Sequence, residues 1–94
     1  MVNNVNSLVQ PIIVNTDSTH EGAVLAAAMA SLQAYKYPHI SENEDRDWDT
    51  WLEGIFTKTV RRLKPAAFQK ALETLPPESH IMTPSGEAMA YSPM

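Results

Sequence analysis

The sequence contains no cysteine, which excludes disulfide bonds and thiolate metal ligands. No apolar run approaches the ~18 residues that a membrane-spanning helix needs. Residues 1–6 have neither the basic start nor the apolar core of a secretory signal peptide. Internal repeats are also lacking. Together, these absences predict a cytoplasmic protein with no membrane association.

The chain is short and acidic. Its 94 residues are enough for one domain, over residues 1–94, and the polar residues 1–7 are predicted to be flexible. A chain of this length buries roughly 60–65% of its unfolded surface, so its core must be small. The net charge of −4 and the pI near 5.2 argue weakly against nonspecific binding to nucleic acid.

The positive charge is concentrated in one segment. Four of the seven Lys and Arg residues lie within seven positions, namely Lys58, Arg61, Arg62 and Lys64. If this segment is a strand, Lys58 and Arg62 share a face and Arg61 points the other way. Such a concentration predicts a surface that binds the phosphates of a tRNA. The alternative is a charged edge strand that resists aggregation.

The first two predicted elements are a buried strand and a long helix. Residues 12–14 are apolar on both faces, which predicts a strand inside a sheet, with pairing that begins after Pro11. Ser18 and Glu21 have capping-box spacing, and the helix is expected to end near Tyr37, because proline follows. Its apolar residues recur at helical spacing: Val24, Leu25, Ala28, Met29, Leu32 and Tyr35.

The remaining chain predicts alternating helices and strands. In order, these are a loop over 39–47, a short helix from Trp48, a strand over 56–63, a helix over 65–75, and strands 80–83 and 88–91 joined by a turn. A helix is the rival interpretation of 56–63. Trp48 and Trp51 are predicted to lie in the core, as are Met29, Met82 and Met89. The order predicts an α/β fold, a three-layer α/β/α sandwich with a four-stranded mixed sheet.

In its element order and in several short motifs, the sequence resembles a family, the type-two peptidyl-tRNA hydrolases. The similar motifs are Thr16-Asp17 after the first strand, Leu25-Ala26-Ala27 in the helix, Lys58 in the second strand, and the terminal segment 90–93. The resemblance covers nearly the whole chain in element order. It implies hydrolysis of the ester in peptidyl-tRNA or N-blocked aminoacyl-tRNA, without a cofactor, by a compact and diverged member such as those of phages.

The sequence also departs from the family. The Gly-Lys-Gly-Lys motif is replaced at residues 21–24, and a Gln and a His further along the helix are replaced by Ala28 and Ser31. The turn at 83–87 is too short for the family's Asp-Ala-Gly-x-Thr loop. The resemblance therefore implies the fold more directly than the activity.

Three residues are candidates for catalysis. Asp17 follows the carboxyl end of the first strand, where ligands collect in open α/β sheets, and is predicted either to position a water or to cap the helix. His20 lies nearby and is either a general base or a surface residue without a role. Lys58 is predicted to stabilise an oxyanion. The histidines lack metal-ligand spacing, so no metal is expected.

The sequence leaves two functions open. The first is hydrolysis of peptidyl-tRNA by water attack, with tRNA as partner. The second is a catalytically inactive binding or inhibitor protein of the same fold, which contacts a protein partner, in a phage or a host, through its acidic segment 41–49 and its tryptophans. A homodimer is compatible with either.

Overall fold

The structure, a computed structural model, describes residues 8–36, 42–54, 56–75 and 77–94. For residues 42–47 only the backbone is described. The flexible segment predicted for residues 1–7 lies outside the described residues, as do Tyr37 and His39.

The described residues form four strands and three α-helices around one sheet. In chain order they are β1 (Gln10–Asn15), α1 (His20–Lys36), α2 (Glu42–Glu53), β2 (Lys58–Leu63), α3 (Pro65–Leu72), β3 (His80–Met82) and β4 (Glu87–Ala90), with a 3₁₀ turn at Pro77–Ser79. The strand order is β2-β1-β4-β3; β1 is parallel to β2 and antiparallel to β4, and β3 and β4 form an antiparallel hairpin. The mixed four-stranded sheet, with β1 inside it, is thereby confirmed. The three-layer arrangement of the helices stays a prediction.

The first strand starts earlier than predicted. Pairing with β2 begins at Gln10, which lies opposite Lys58, and so it includes Pro11. The Pro11 carbonyl accepts a hydrogen bond from the Tyr91 N–H at 3.0 Å. Proline is tolerated here because the β4 strand ends at Ala90, so the ladder on that side requires no N–H from Pro11.

The cap of α1 also differs from the prediction. Thr19 is the N-cap residue, because its Oγ1 accepts a hydrogen bond from the Gly22 N–H at 3.0 Å. The Ser18 hydroxyl instead accepts a hydrogen bond from the Glu87 N–H at 2.9 Å, which ties the start of the helix to β4. The predicted capping box of Ser18 and Glu21 was therefore wrong, and the N-cap lies one residue later than predicted.

The α1 helix packs on the sheet through small side chains. Its buried residues are Gly22, Ala23, Ala26, Ala27, Ala30, Ser31 and Ala34. The five alanines among them share one apolar cluster with Ile12 and Val14 of β1 and with Ala88 and Ala90 of β4. The large residues of α1 are exposed instead, including Leu25 at 52% and Leu32 at 67%. The apolar stripe visible in the sequence is thus on the outer side of the helix.

Two of the predicted core methionines are also on the surface. Met29 and Met82 are exposed, whereas Met89 is fully buried as predicted. Met29 belongs to the outer side of α1, and Met82 lies on the edge strand β3. Phe68, the buried residue of α3, is fully enclosed like Met89.

The segment after α1 is more helical than predicted. The α2 helix begins at Glu42, so most of the loop predicted over 39–47 is helix. Trp48 and Trp51 are buried as predicted, and their rings meet edge to face with centroids 5.5 Å apart. Residues 58–63 form the strand β2, and the helical interpretation of this segment was wrong.

The substitution Gly22→Ala tests the close approach of α1 to the β3–β4 turn. A Cβ at Gly22 would overlap the backbone carbonyl of Ser85. Alanine normally stabilises a helix interior relative to glycine, but here we expect a loss of about 1–3 kcal/mol in the free energy of unfolding, because the backbones must separate. Urea denaturation measures this.

The control for this test is Leu25→Ala, which truncates an exposed side chain of the same helix. It should change the free energy of unfolding by no more than about 0.5 kcal/mol. A stabilised Gly22→Ala variant would contradict the close approach.

Candidate functional site

Three polar side chains from three elements meet at one end of the sheet. Lys58 is the first residue of β2, and its Nζ donates hydrogen bonds to Ser31 Oγ and, at 3.3 Å, to Gln10 Oε1. Ser31 Oγ donates to the same Gln10 oxygen at 2.6 Å. We refer to Gln10, Ser31 and Lys58 as the Lys58 cluster.

Local sequence explains this meeting. Gln10 lies two residues before Ile12 in β1, so its side chain is on the face of the sheet that α1 covers. Ser31 lies one helical turn after Ala27 on the buried face of α1. Lys58 reaches both because the parallel register places it directly opposite Gln10. The cluster thus follows from strand register and from one polar position in an alanine face.

The Lys58 cluster borders an apolar groove of about 640 Å³. The groove lies among α1, α2 and the chain that leads into β2. Its lining residues are Ile12, Ala27, Ala28, Ser31, Leu32, Tyr35, Trp48, Trp51, Leu52, Phe56 and Lys58. Among these described residues, Lys58 is the one that carries charge. The groove is within the usual size range of small-molecule sites.

The surroundings of Lys58 act on its charge in two ways. Burial of the ammonium lowers the pKa of Lys58 from its ordinary value, because the charged form loses hydration. The Trp51 ring, whose centroid is 5.3 Å from Nζ, attracts the charged form. Burial is the larger influence on the pKa, although much of the side chain remains exposed.

Two buried polar groups next to the groove lack partners. Gln10 Nε2 belongs to the Lys58 cluster, and Trp48 Nε1 belongs to a residue that lines the groove; neither finds an acceptor among the described residues. The Trp51 indole, by contrast, donates to the Thr57 carbonyl at 3.2 Å. A buried donor left unpaired costs about 1–3 kcal/mol, so each of these two positions lowers the stability of the fold.

Asp17 and His20 lie at the other end of the sheet. Asp17 follows Gln10 by seven residues along β1, which corresponds to about 23 Å in an extended strand. Asp17 and His20 are both exposed. The structure therefore does not bring Lys58 together with the other two predicted catalytic residues. Thr19 holds the N-cap, so Asp17 does not cap the helix.

The basic residues of β2, and Lys64 directly after it, are spread along an edge of the sheet. Arg61, Arg62 and Lys64 are exposed like Lys58. Arg62 donates long hydrogen bonds to the carbonyls of Thr16 and Ser18, at 3.5 and 3.4 Å, and so reaches the end where Asp17 lies. Lys58 and Arg62 are thus separated by about 13 Å along the strand. The four cations form a basic strip along the edge rather than a single pocket.

A second polar cluster occupies that same end. His80 Nε2 and Glu87 Oε2 are 2.6 Å apart, and the other Glu87 oxygen accepts a hydrogen bond from Asn15 Nδ2 at 2.9 Å. The His80 side chain is only 27% exposed. Strand pairing explains the contact, because Met82 lies opposite Glu87 and places His80 on the same face. The sequence predicts the hairpin but not the register that brings His80 to Glu87.

The described residues contain no group of three His, Asp or Glu side chains close enough to hold a metal ion. None of the helices described is both long and apolar enough to cross a membrane. The comparisons with known proteins find no matching family model, no similar curated protein and no similar solved structure. The resemblance to type-two peptidyl-tRNA hydrolases therefore stays a prediction.

The burial of Lys58 predicts a pKa below the ordinary lysine value. Because its folded pKa lies below that of an unfolded lysine, protonation of Lys58 weakens the fold; this cost begins to fall as the pH rises through the lowered pKa and is gone above the unfolded pKa. We expect the pKa of Lys58 to lie below the ordinary lysine value when its Nζ group is titrated by NMR. Lys58→Met should remove the assigned resonance. A Lys58 whose pKa equals or exceeds that of a lysine in an unfolded peptide would contradict the desolvation.

Proposed function

We propose that the protein hydrolyses the ester between a peptide or N-blocked amino acid and the 3′ end of a tRNA. The observation that carries the proposal is the position of Lys58, which lies both beside an apolar groove and at the start of the basic strip of β2. An ester of this kind has an apolar acyl group on one side of the bond and a polyanion on the other. The apolar groove on one side of Lys58 matches the acyl group, and the basic strip on the other side matches the polyanion.

In this proposal Lys58 acts as an ammonium that stabilises the oxyanion of the tetrahedral intermediate. Nζ already donates to Ser31 Oγ and Gln10 Oε1, which leaves one of its three N–H groups for a substrate oxygen. A donor held in place before the reaction is worth more than one in water, because it needs no reorganisation. Water attacks the carbonyl, and the tRNA 3′ hydroxyl leaves with a proton.

Turnover is expected to be slow. No carboxylate or imidazole is found among the described residues that line the groove, so the attacking water has no positioned base there. The absence of such a base typically costs ~10²–10⁴ in rate. Asp17 and His20 keep their predicted roles only for a reaction at the other end of β1.

The basic strip supplies the contacts to tRNA. Three of its four cations lie on the edge strand β2, whose residues are exposed except for the half-buried Leu63, and Lys64 follows the strand directly. An edge strand lets a phosphate backbone run along it, whereas a central strand is covered on both sides. The alternative role of the same charges, protection of the edge against aggregation, uses no ligand.

The rival proposal is an inactive binding protein of the same fold. The specific observation in its favour is the outer side of α1, where Val24, Leu25 and Met29 are exposed at 59%, 52% and 42%. Exposed apolar groups of this kind often mark contacts with other proteins. The tryptophans contribute little to such a contact, because both are buried.

Double substitution of Lys58 and Arg62 by alanine tests the basic strip. We expect weaker tRNA binding and a shallower dependence of log K on log salt concentration, by about one unit of slope per lost phosphate contact. The measurement is fluorescence anisotropy of labelled tRNA across a salt series. The matched control replaces Lys36 and Lys70, which changes the net charge equally but leaves β2 intact. Equal effects of the two double variants would exclude the strip as the tRNA site.

Hydrolysis of N-acetyl-phenylalanyl-tRNA by the purified protein separates the enzyme from the binding protein. We expect slow turnover above the buffer rate, reduced by about 10²–10³ in Lys58→Met, because one oxyanion donor is lost. Asp17→Asn should stay within about twofold of the parent rate, because Asp17 lies at the other end of β1. The readout is acid-precipitable radioactivity over time.

Circular dichroism of each variant verifies that the fold is intact. If the parent protein at high concentration gives no turnover above the buffer rate, the rival proposal replaces this one. An equal loss in Lys58→Met and Asp17→Asn would move the reacting centre away from the groove.

A further inference from the structure

The groove beside Lys58 has the composition of a site for an amphipathic anion. Its walls are apolar residues from two helices, among them Leu32, Tyr35 and Leu52. At its edge stands the ammonium of Lys58, the one charged group among the described lining residues. Apolar walls with a single placed polar group are typical of small-molecule sites, since the walls supply affinity and the polar group fixes orientation.

The polar end of the groove has one hydrogen-bond donor to spare. Ser31 and Gln10 Oε1 use two of the three N–H groups of Lys58. One N–H of the Lys58 ammonium is therefore left for a ligand, and this calls for a ligand that accepts hydrogen bonds and carries negative charge. A carboxylate, with two oxygens and about four acceptor sites, meets both needs.

We propose that the groove binds a monocarboxylate with an apolar tail, whose carboxylate pairs with Lys58 and whose tail lies against Leu32, Trp51 and Leu52. The chemistry fits a free fatty acid and an N-acylated amino acid alike. Binding of this ligand does not require ester hydrolysis, and it holds whether or not the protein acts on tRNA.

The exposure of the walls supports a bound ligand. Leu32 is 67% exposed and Phe56 is 59% exposed, although both line a concave surface. Burying such side chains against a tail removes apolar area from water, which is the main source of affinity for apolar ligands. A phosphate or sulfate ion would satisfy Lys58 but would leave these walls in water, so the tail is part of the proposal.

The experiment uses the fluorescence of the chain's two tryptophans, both of which line the groove. Decanoate, decan-1-ol and N-acetyl-phenylalanine are titrated into the full chain without tRNA. We expect a saturable change with decanoate or with N-acetyl-phenylalanine, and the tighter ligand identifies the source. Decan-1-ol should bind at least about tenfold more weakly than decanoate, because it cannot form the charge-assisted hydrogen bonds.

Three variants locate the site. Lys58→Met keeps the apolar stem and should weaken decanoate binding about tenfold to a hundredfold, while decan-1-ol binding stays unchanged. Leu32→Glu places a like charge in the wall and should abolish decanoate binding. Leu25→Glu is the matched control, because it changes another exposed leucine of α1 that does not line the groove; it should bind decanoate normally.

Each part of the proposal has a result that contradicts it. Equal affinity for decanoate and decan-1-ol, or unchanged decanoate binding in Lys58→Met, would contradict the pairing of a carboxylate with Lys58. Unchanged binding in Leu32→Glu, or an equal loss in Leu25→Glu, would overturn the groove as the location. No saturable change with either carboxylate would overturn the proposal as a whole. Because tRNA is absent throughout, each of these results is separate from the outcome of the hydrolysis assay.

Discussion

The close approach of α1 to the sheet determines most of the other features. Gly22 and Gly86 touch backbone to backbone, and alanines fill the rest of the contact with β1 and β4. Because the helix lies so near, no large side chain fits between it and the strands. The leucines, methionine and tyrosine of α1 are therefore turned outward, and some of them become walls of the groove. If α1 packed on the sheet through its larger residues, those residues would be buried and could not form walls of the groove.

The sequence predicts the sheet well because its signals are local. A run of β-branched residues in β1, prolines at the element boundaries and a turn between β3 and β4 each specify a backbone conformation directly. The orientation of α1 is different. Its apolar stripe, which includes Leu25 and Leu32, indicates by periodicity a buried face, but helix–sheet distance decides which side is buried. That distance depends on Gly22 meeting Gly86, a contact between residues 64 positions apart.

The site was predictable only where its signals in the sequence are local. Lys58 stands out as the first cation of a basic segment, and its strand was predicted from its β-forming neighbours. Its partners were not, because Gln10 and Ser31 are ordinary polar residues until register and helix face are known. The separation of Lys58 from Asp17 follows from parallel pairing: β1 and β2 run in the same direction, so the start of one lies far from the end of the other. A resemblance in element order does not fix such distances.

The two ends of β1 thus offer different chemistry on one small sheet. At the carboxyl end, Asn15 Nδ2 and His80 Nε2 each contact one oxygen of Glu87, so these polar groups already have partners within the protein. At the amino end, the Lys58 ammonium has one N–H left for a ligand and borders an apolar groove. Polar groups that are already paired stabilise a structure, whereas a spare donor beside a groove is open to a ligand. This difference, rather than the usual position of ligands at the carboxyl edge, is why we place function at Lys58.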